Sequence, residues 1–140
     1  MPYSIDVDQK HHLVTTKFWG VLDLKELQDS MATLDELGPF GKAYRCLQVF
    51  QEQLQLDLTA DQLRYFAHER SGGLGPKQLP FDLKAKRVVV APAAVAFGLA
   101  RLYDAEFYKS GAVLTIVHTI TEAAAELGMD AADIDVTFPV

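Results

Sequence analysis

Residues 87–92 read Arg87-Val88-Val89-Val90-Ala91-Pro92, and this stretch decides the fold. Three consecutive valines leave no polar face, the composition of a strand covered on both sides, as in the parallel sheets of α/β proteins. Pro92 has no N–H to lose and a φ already set for a first helical turn. Beyond it, Ala96, Leu99, Ala100, Tyr103 and Phe107 keep helical spacing within a predicted helix over 93–109. Ser110-Gly111 ends that helix, and Ala112 to Val117 supplies another apolar strand. Strand, helix and strand make a β-α-β unit, whose two strands run parallel.

The same unit recurs upstream. Tyr44 to Phe50 is an apolar-rich interior strand containing Cys46. Thr59 and Gln62 form a capping box opening a helix to about Arg70, with Leu63, Phe66 and Ala67 facing inward. Asp23 and Glu26 repeat that signal for a helix to about Leu37, whose stripe is Leu27, Met31, Leu34 and Leu37 and whose stop is Gly38-Pro39. At the start, Tyr3, Ile5 and Val7 alternate with Ser4, Asp6 and Asp8, and His12 to Trp19 alternates likewise. Their short connection makes an antiparallel hairpin. Thr121 to Leu127 is a final helix ended by Gly128. The order β-β-α-β-α-β-α-β-α predicts a single α/β domain, its sheet mostly parallel with an antiparallel N-terminal hairpin. Residues 71–86, punctuated by Gly72, Gly73, Gly75, Pro76 and Pro80, read as a long loop. After the core, 1–128, comes a tail, 129–140, in which Ile134, Val136 and Phe138 alternate with polar residues. That pattern predicts an extra strand on the chain's own sheet edge, or an arm onto a second subunit.

Composition narrows the function classes. The chain has 140 residues, 49% of them hydrophobic, enough for a core without disulfides or structural metal. Thirteen Lys and Arg against 19 Asp and Glu give a net charge of −6, unsuited to nucleic-acid backbones. A single cysteine excludes an intrachain disulfide framework and suits a reducing compartment. No apolar run reaches the ~20 residues of a membrane-spanning helix, and Met1-Pro2-Tyr3-Ser4 lacks the regions of a signal peptide, so the expected location is cytoplasmic. The charge is uneven, however. Arg64 to Arg87 holds six basic and two acidic residues, whereas Thr121 to Val140 holds five acidic residues and no basic one. A local anion contact, or docking of the acidic tail on the basic segment, is compatible with that asymmetry.

The segments Arg87 to Pro92, Ala96-Phe97-Gly98-Leu99-Ala100-Arg101-Leu102-Tyr103, Val113 to Val117 and Thr121-Glu122-Ala123-Ala124 resemble small bacterial STAS-like proteins. STAS is the domain of sulfate transporters and anti-sigma-factor antagonists, with Sec14-like relatives. The resemblance runs from Tyr3 to Gly128 and rests most on Phe97 to Arg101. It implies a β/α superhelical domain, often a homodimer. The antagonist branch carries a phosphorylatable serine in Asp-Ser-Ser/Thr-Gly; here the corresponding residues are Asp57-Leu58-Thr59-Ala60, without that serine or glycine.

In a parallel sheet the helix N-termini gather at the carboxyl ends of the strands, where unpaired N–H groups favour anions. The candidate binding residues are therefore Thr59, Phe97, Arg101, Tyr108 and His118. Arg101 lies four residues after Phe97 on one helix face, continued by Asp104 and Tyr108, and the core does not need this face. Gly98, in mid-helix, predicts a close backbone approach. Catalytic signals are weak. The glycines at 72–75 match no phosphate loop, adjacent His11-His12 point to opposite faces, and His68-Glu69 lacks a second metal-binding histidine. His118 with Asp23 or Asp57 is the one acid–base grouping the topology permits. The expectation is a non-enzymatic regulatory module acting through protein–protein contact as a homodimer, with no cofactor and no metal. The alternatives are a binder of a small lipid, acyl or anionic ligand and, third, a hydrolase-type enzyme using His118.

Overall fold

The valine run forms a strand, Arg87–Val90, in which every residue is buried. The computed structural model describes residues 2–70, 81, 85–107 and 114–138. In chain order its strands are β1 (Tyr3–Asp8), β2 (Leu13–Phe18), β3 (Val21–Asp23), β4 (Arg45–Phe50), β5 (Gln55–Asp57), β6 (Arg87–Val90) and β7 (Leu114–Val117). The helices are α1 (Leu24–Leu37), α2 (Ala60–Arg70), α3 (Ala94–Phe107) and α4 (Ile120–Leu127). One sheet has the order β1-β2-β4-β6-β7, and a second, small one pairs β3 with β5. Only β1 is antiparallel, joined to β2 as Tyr3↔Phe18 through Asp8↔Leu13; the remaining pairs are parallel. The α/β architecture, the mostly parallel sheet and the antiparallel opening hairpin are those read from the sequence.

Local chemistry sets the element ends. The Asp8 carboxylate accepts from the His11 N–H at 3.1 Å and turns the hairpin, with His12 at φ +51°. Asp23 accepts from the Glu26 N–H at 2.8 Å as cap of α1. Thr59 and Gln62 exchange both bonds of the capping box, at 2.9 and 3.1 Å. Thr119 caps α4, and Gly128 closes it at φ +66°, a left-handed position that suits glycine. Each such cap contributes about 1 kcal/mol.

Side chains alternate across the sheet and divide the core into two layers. Val14, Phe18, Cys46, Val89 and Ala91 face α1, α2 and α3, meeting Leu27, Met31, Leu63, Phe66, Ala96 and Ala100. Leu13, Leu47, Val49, Val88, Val90 and Val117 face the other way, onto Ala123, Ala124 and Leu127 of α4 and onto Ile134. Strand order advances in one direction from β2 to β7. Right-handed crossovers then carry α1, α2 and α3 over the same face, and α4 returns over the opposite one.

The tail differs from the expected strand. After α4 it makes a 3-10 turn at Ala131–Asp133 and continues to residue 138 without strand pairing. It nevertheless lies on its own chain's sheet. Ile134 is buried, and Phe138 meets Trp19 edge-on at 6.3 Å. Lys17, 5% exposed, gives its ammonium to the Thr137 carbonyl at 2.6 Å and reaches Asp135 at 3.5 Å and Asp6 at 3.7 Å. A buried ammonium needs such partners, because its desolvation costs several kcal/mol. Backbone and side-chain bonds from Thr137, then the charge of Lys17, hold the Asp135 carboxyl below its ordinary range.

Gly98 also departs from expectation. Open space surrounds the position a Cβ would occupy, so no close approach requires glycine there. Two stabilising substitutions follow. Gly98→Ala should raise stability by about 0.5–1 kcal/mol through helix propensity. Thr16, fully buried with an Oγ1 lacking any hydrogen-bond partner, should gain about 1 kcal/mol as Thr16→Val. Urea titration checks both, each expected to raise the midpoint with the slope unchanged.

Candidate functional site

The helix-covered face of the sheet does not close completely. A cavity of about 60 Å³ lies between sheet and helices and opens to the surface. Gln48, Phe50, Val89 and Leu114 form its floor on the sheet. Leu27 and Met31 enter from α1, Leu63 and Phe66 from α2, and Ala96, Leu99, Ala100 and Tyr103 from α3. Leu22 of β3, Leu56 of β5 and Leu58 just after it complete the wall. The lining is almost wholly apolar because α1, α2 and α3 each turn their core stripe toward it. Phe66 and Tyr103 rings pack at 5.6 Å across the α2–α3 contact.

A second cavity, about 50 Å³, adjoins the first and shares Met31, Gln48, Tyr103 and Leu114 with it. Its remaining lining includes Cys46, Phe81, Arg70 and Arg87. Arg70, the last residue of α2, is 5% exposed and grips Asp35 of α1 at 2.8 and 3.1 Å. Arg87, 8% exposed, donates to the Ala85 carbonyl at 3.1 Å. Burial pushes the Cys46 thiol up to about 11, against the opposing charges of Arg87 and Arg70. Cys46 is therefore a protonated core side chain at neutral pH rather than a nucleophile. Burial also pushes the Tyr103 phenol well above its ordinary range, again against Arg70 and Arg87.

The residues singled out in the sequence sit elsewhere, and they are only partly brought together. Phe97 and His118 stack face to face, rings 4.1 Å apart and 9° from parallel, at the rim where α3 and α4 begin. Arg101 is exposed, one turn beyond Phe97 on α3, and forms no ion pair with Asp104 among the described residues. Thr59 is exposed and occupied as the cap of α2. Tyr108 lies outside the described residues. The proposed acid–base grouping is not assembled among them: His118 has no carboxylate partner, and Asp23 is engaged as a helix cap. Nor do the described residues hold a cluster of three or more His, Cys, Asp or Glu able to bind a metal ion, or a helix long and apolar enough to cross a membrane.

The rim itself lacks the crevice expected of it. Ligands settle at the carboxyl ends of open sheets where strand order reverses and neighbouring helices part to opposite faces. Here the order never reverses between β2 and β7. The usable concavity is consequently inside the helix layer. Sequence reasoning missed Leu56, Leu58, Arg70 and Arg87 as lining residues. One signal was present, the period-2 alternation of Leu54, Leu56 and Leu58 that marks β5.

Asp104 carries the electrostatic strain of this region. Its Oδ1 is buried without a hydrogen-bond partner. Desolvation raises its pKa, opposed by the Leu114 backbone N–H. An acid whose pKa is raised on folding loses stability as pH climbs above its unfolded value, near 4. Asp104→Asn keeps an acceptor for Leu114 and removes the charge. Thermal unfolding should show a higher Tm for the variant at pH 7, with the gain vanishing below about pH 4.

The sequence matches no protein-family model, and neither a curated protein nor a solved structure is significantly similar to it.

Proposed function

We propose that this chain is a non-enzymatic binding module that takes a small apolar or amphipathic molecule between its sheet and helices α1, α2 and α3. The observation that carries this reading is the apolar cavity with its open mouth. The cavity, about 60 Å³, is small, but it opens to the surface and its lining is almost wholly apolar side chains that a ligand would push apart on entry. Protein interiors are otherwise packed like organic crystals. At about 24 cal/mol per Å³, a cavity of about 60 Å³ lowers stability by about 1.4 kcal/mol, which an apolar occupant offsets. The resemblance to STAS-like and Sec14-like domains supports the same reading, with a lipid or acyl ligand.

Regulation through protein contact, with a homodimer as the simplest case, is the second reading. It is favoured by two exposed apolar residues at element starts, Val95 at 70% in the first turn of α3 and Val21 at 51% at the start of β3. The two readings are compatible when a bound molecule alters that surface.

The cavity reading is tested with N-phenyl-1-naphthylamine, an uncharged probe that fluoresces in apolar surroundings. Saturable binding near one probe per chain is expected, weakened about tenfold or more by Ala100→Phe, which fills the cavity from α3. Leu99→Phe serves as an independent filling variant, and circular dichroism verifies that both fold. Binding that is absent, or equal in the folded variants, contradicts the assignment.

A further inference from the structure

The two cavities differ in chemistry and lie side by side, sharing Met31, Gln48, Tyr103 and Leu114. The larger is lined by leucines and phenylalanines, whereas the smaller brings Arg70 and Arg87 to its wall from different elements, α2 and β6. Resting on the cavity reading above, we propose that Arg70 and Arg87 form an anion-binding end, so that the preferred ligand is a single-chain amphiphile with an anionic oxygen head, a carboxylate or a phosphate.

Three observations support this. First, the shared lining residues Met31, Gln48, Tyr103 and Leu114 bring the apolar and basic parts side by side. A tail among the leucines therefore sets its head toward the arginines. Second, a guanidinium has about five N–H donors. Arg70, 5% exposed, gives one from each terminal nitrogen to Asp35, which uses one edge of the fork. Asp35 holds the planar fork in place, as a partner carboxylate does for an arginine that reads a second anion. Third, both guanidinium groups act electrostatically on Cys46 and on Tyr103, so their fields converge on the same interior space. Arginine suits the role better than lysine, since it stays charged when buried and binds carboxylate or phosphate in a bidentate way.

The test displaces N-phenyl-1-naphthylamine from the intact chain with four ten-carbon ligands: decanoate, decyl phosphate, 1-decanol and decyltrimethylammonium. At least one anion should bind about tenfold or more tightly than decanol, and the cation should bind weakest. Which anion is preferred distinguishes a fatty-acid-like source from a phosphate ester. Arg87→Gln, and the paired variant Asp35→Asn with Arg70→Gln, should each reduce the anion preference while decanol still binds. The pairing avoids an uncompensated carboxylate, and the comparison of head groups on the unaltered chain needs no variant. If decanol binds as well as both anions, the anionic end is refuted and the apolar cavity stands. If the preference survives in both folded variants, the assignment to these arginines is refuted. Failure of all four ligands and of the probe overturns this proposal together with the cavity reading.

Discussion

A strand fed into a helix and back into a parallel neighbour crosses over with a right hand. When successive strands are added on one side only, that rule deposits every crossover helix on one face. The order β2-β4-β6-β7 obeys this arrangement, with β1 paired antiparallel at the other edge of β2. Three helices thus share one face, and the opposite face depends on α4 and the residues after it. The burial of all of β6 on both sides follows, since Val89 turns toward α3 while Val88 and Val90 turn toward α4. The same constraint removes the crevice of a reversing sheet and moves the concave space beneath the helix layer.

Elements with a long enough pattern were legible in the sequence. The capping pairs Asp23–Glu26 and Thr59–Gln62 marked helix starts that the structure reproduces, and the valine run identified a doubly buried strand. Strands β3 and β5 were not legible as a pair, because three residues cannot establish a period and their partnership is set by a third dimension. The cavity was less legible still. It arises from where the stripes of α1, α2 and α3 fail to interdigitate, and each stripe alone reads as ordinary core. Arg70 and Arg87 were visible only as members of a basic stretch, since charge along a chain does not reveal which side chains turn inward. On the face of Phe97 and Arg101, Phe97 packs partly against the core while Arg101 is exposed, and the neighbouring Gly98 serves no close approach.

The tail shows how a short alternating pattern misleads. Ile134, Val136 and Phe138 have strand spacing, yet the segment that carries them answers a buried cation and a half-buried aromatic ring rather than a sheet edge. Lys17 alternates onto the α4 face of β2, where its ammonium requires acceptors. The Thr137 carbonyl and the carboxylates of Asp135 and Asp6 provide them, and Phe138 covers Trp19. The acidic bias of the C-terminal segment thereby acquires a local structural cause within one chain.

The two faces then differ in how their buried cations are satisfied. An ammonium has about three donors, and Lys17 finds a carbonyl and two carboxylates around it. Arg70 is as deeply buried, but its fixed fork directs donors along several directions in one plane, and Asp35 meets only one edge of it. On the helix-covered face a buried arginine thus lines a cavity, whereas on the α4 face the buried lysine is ringed by acceptors.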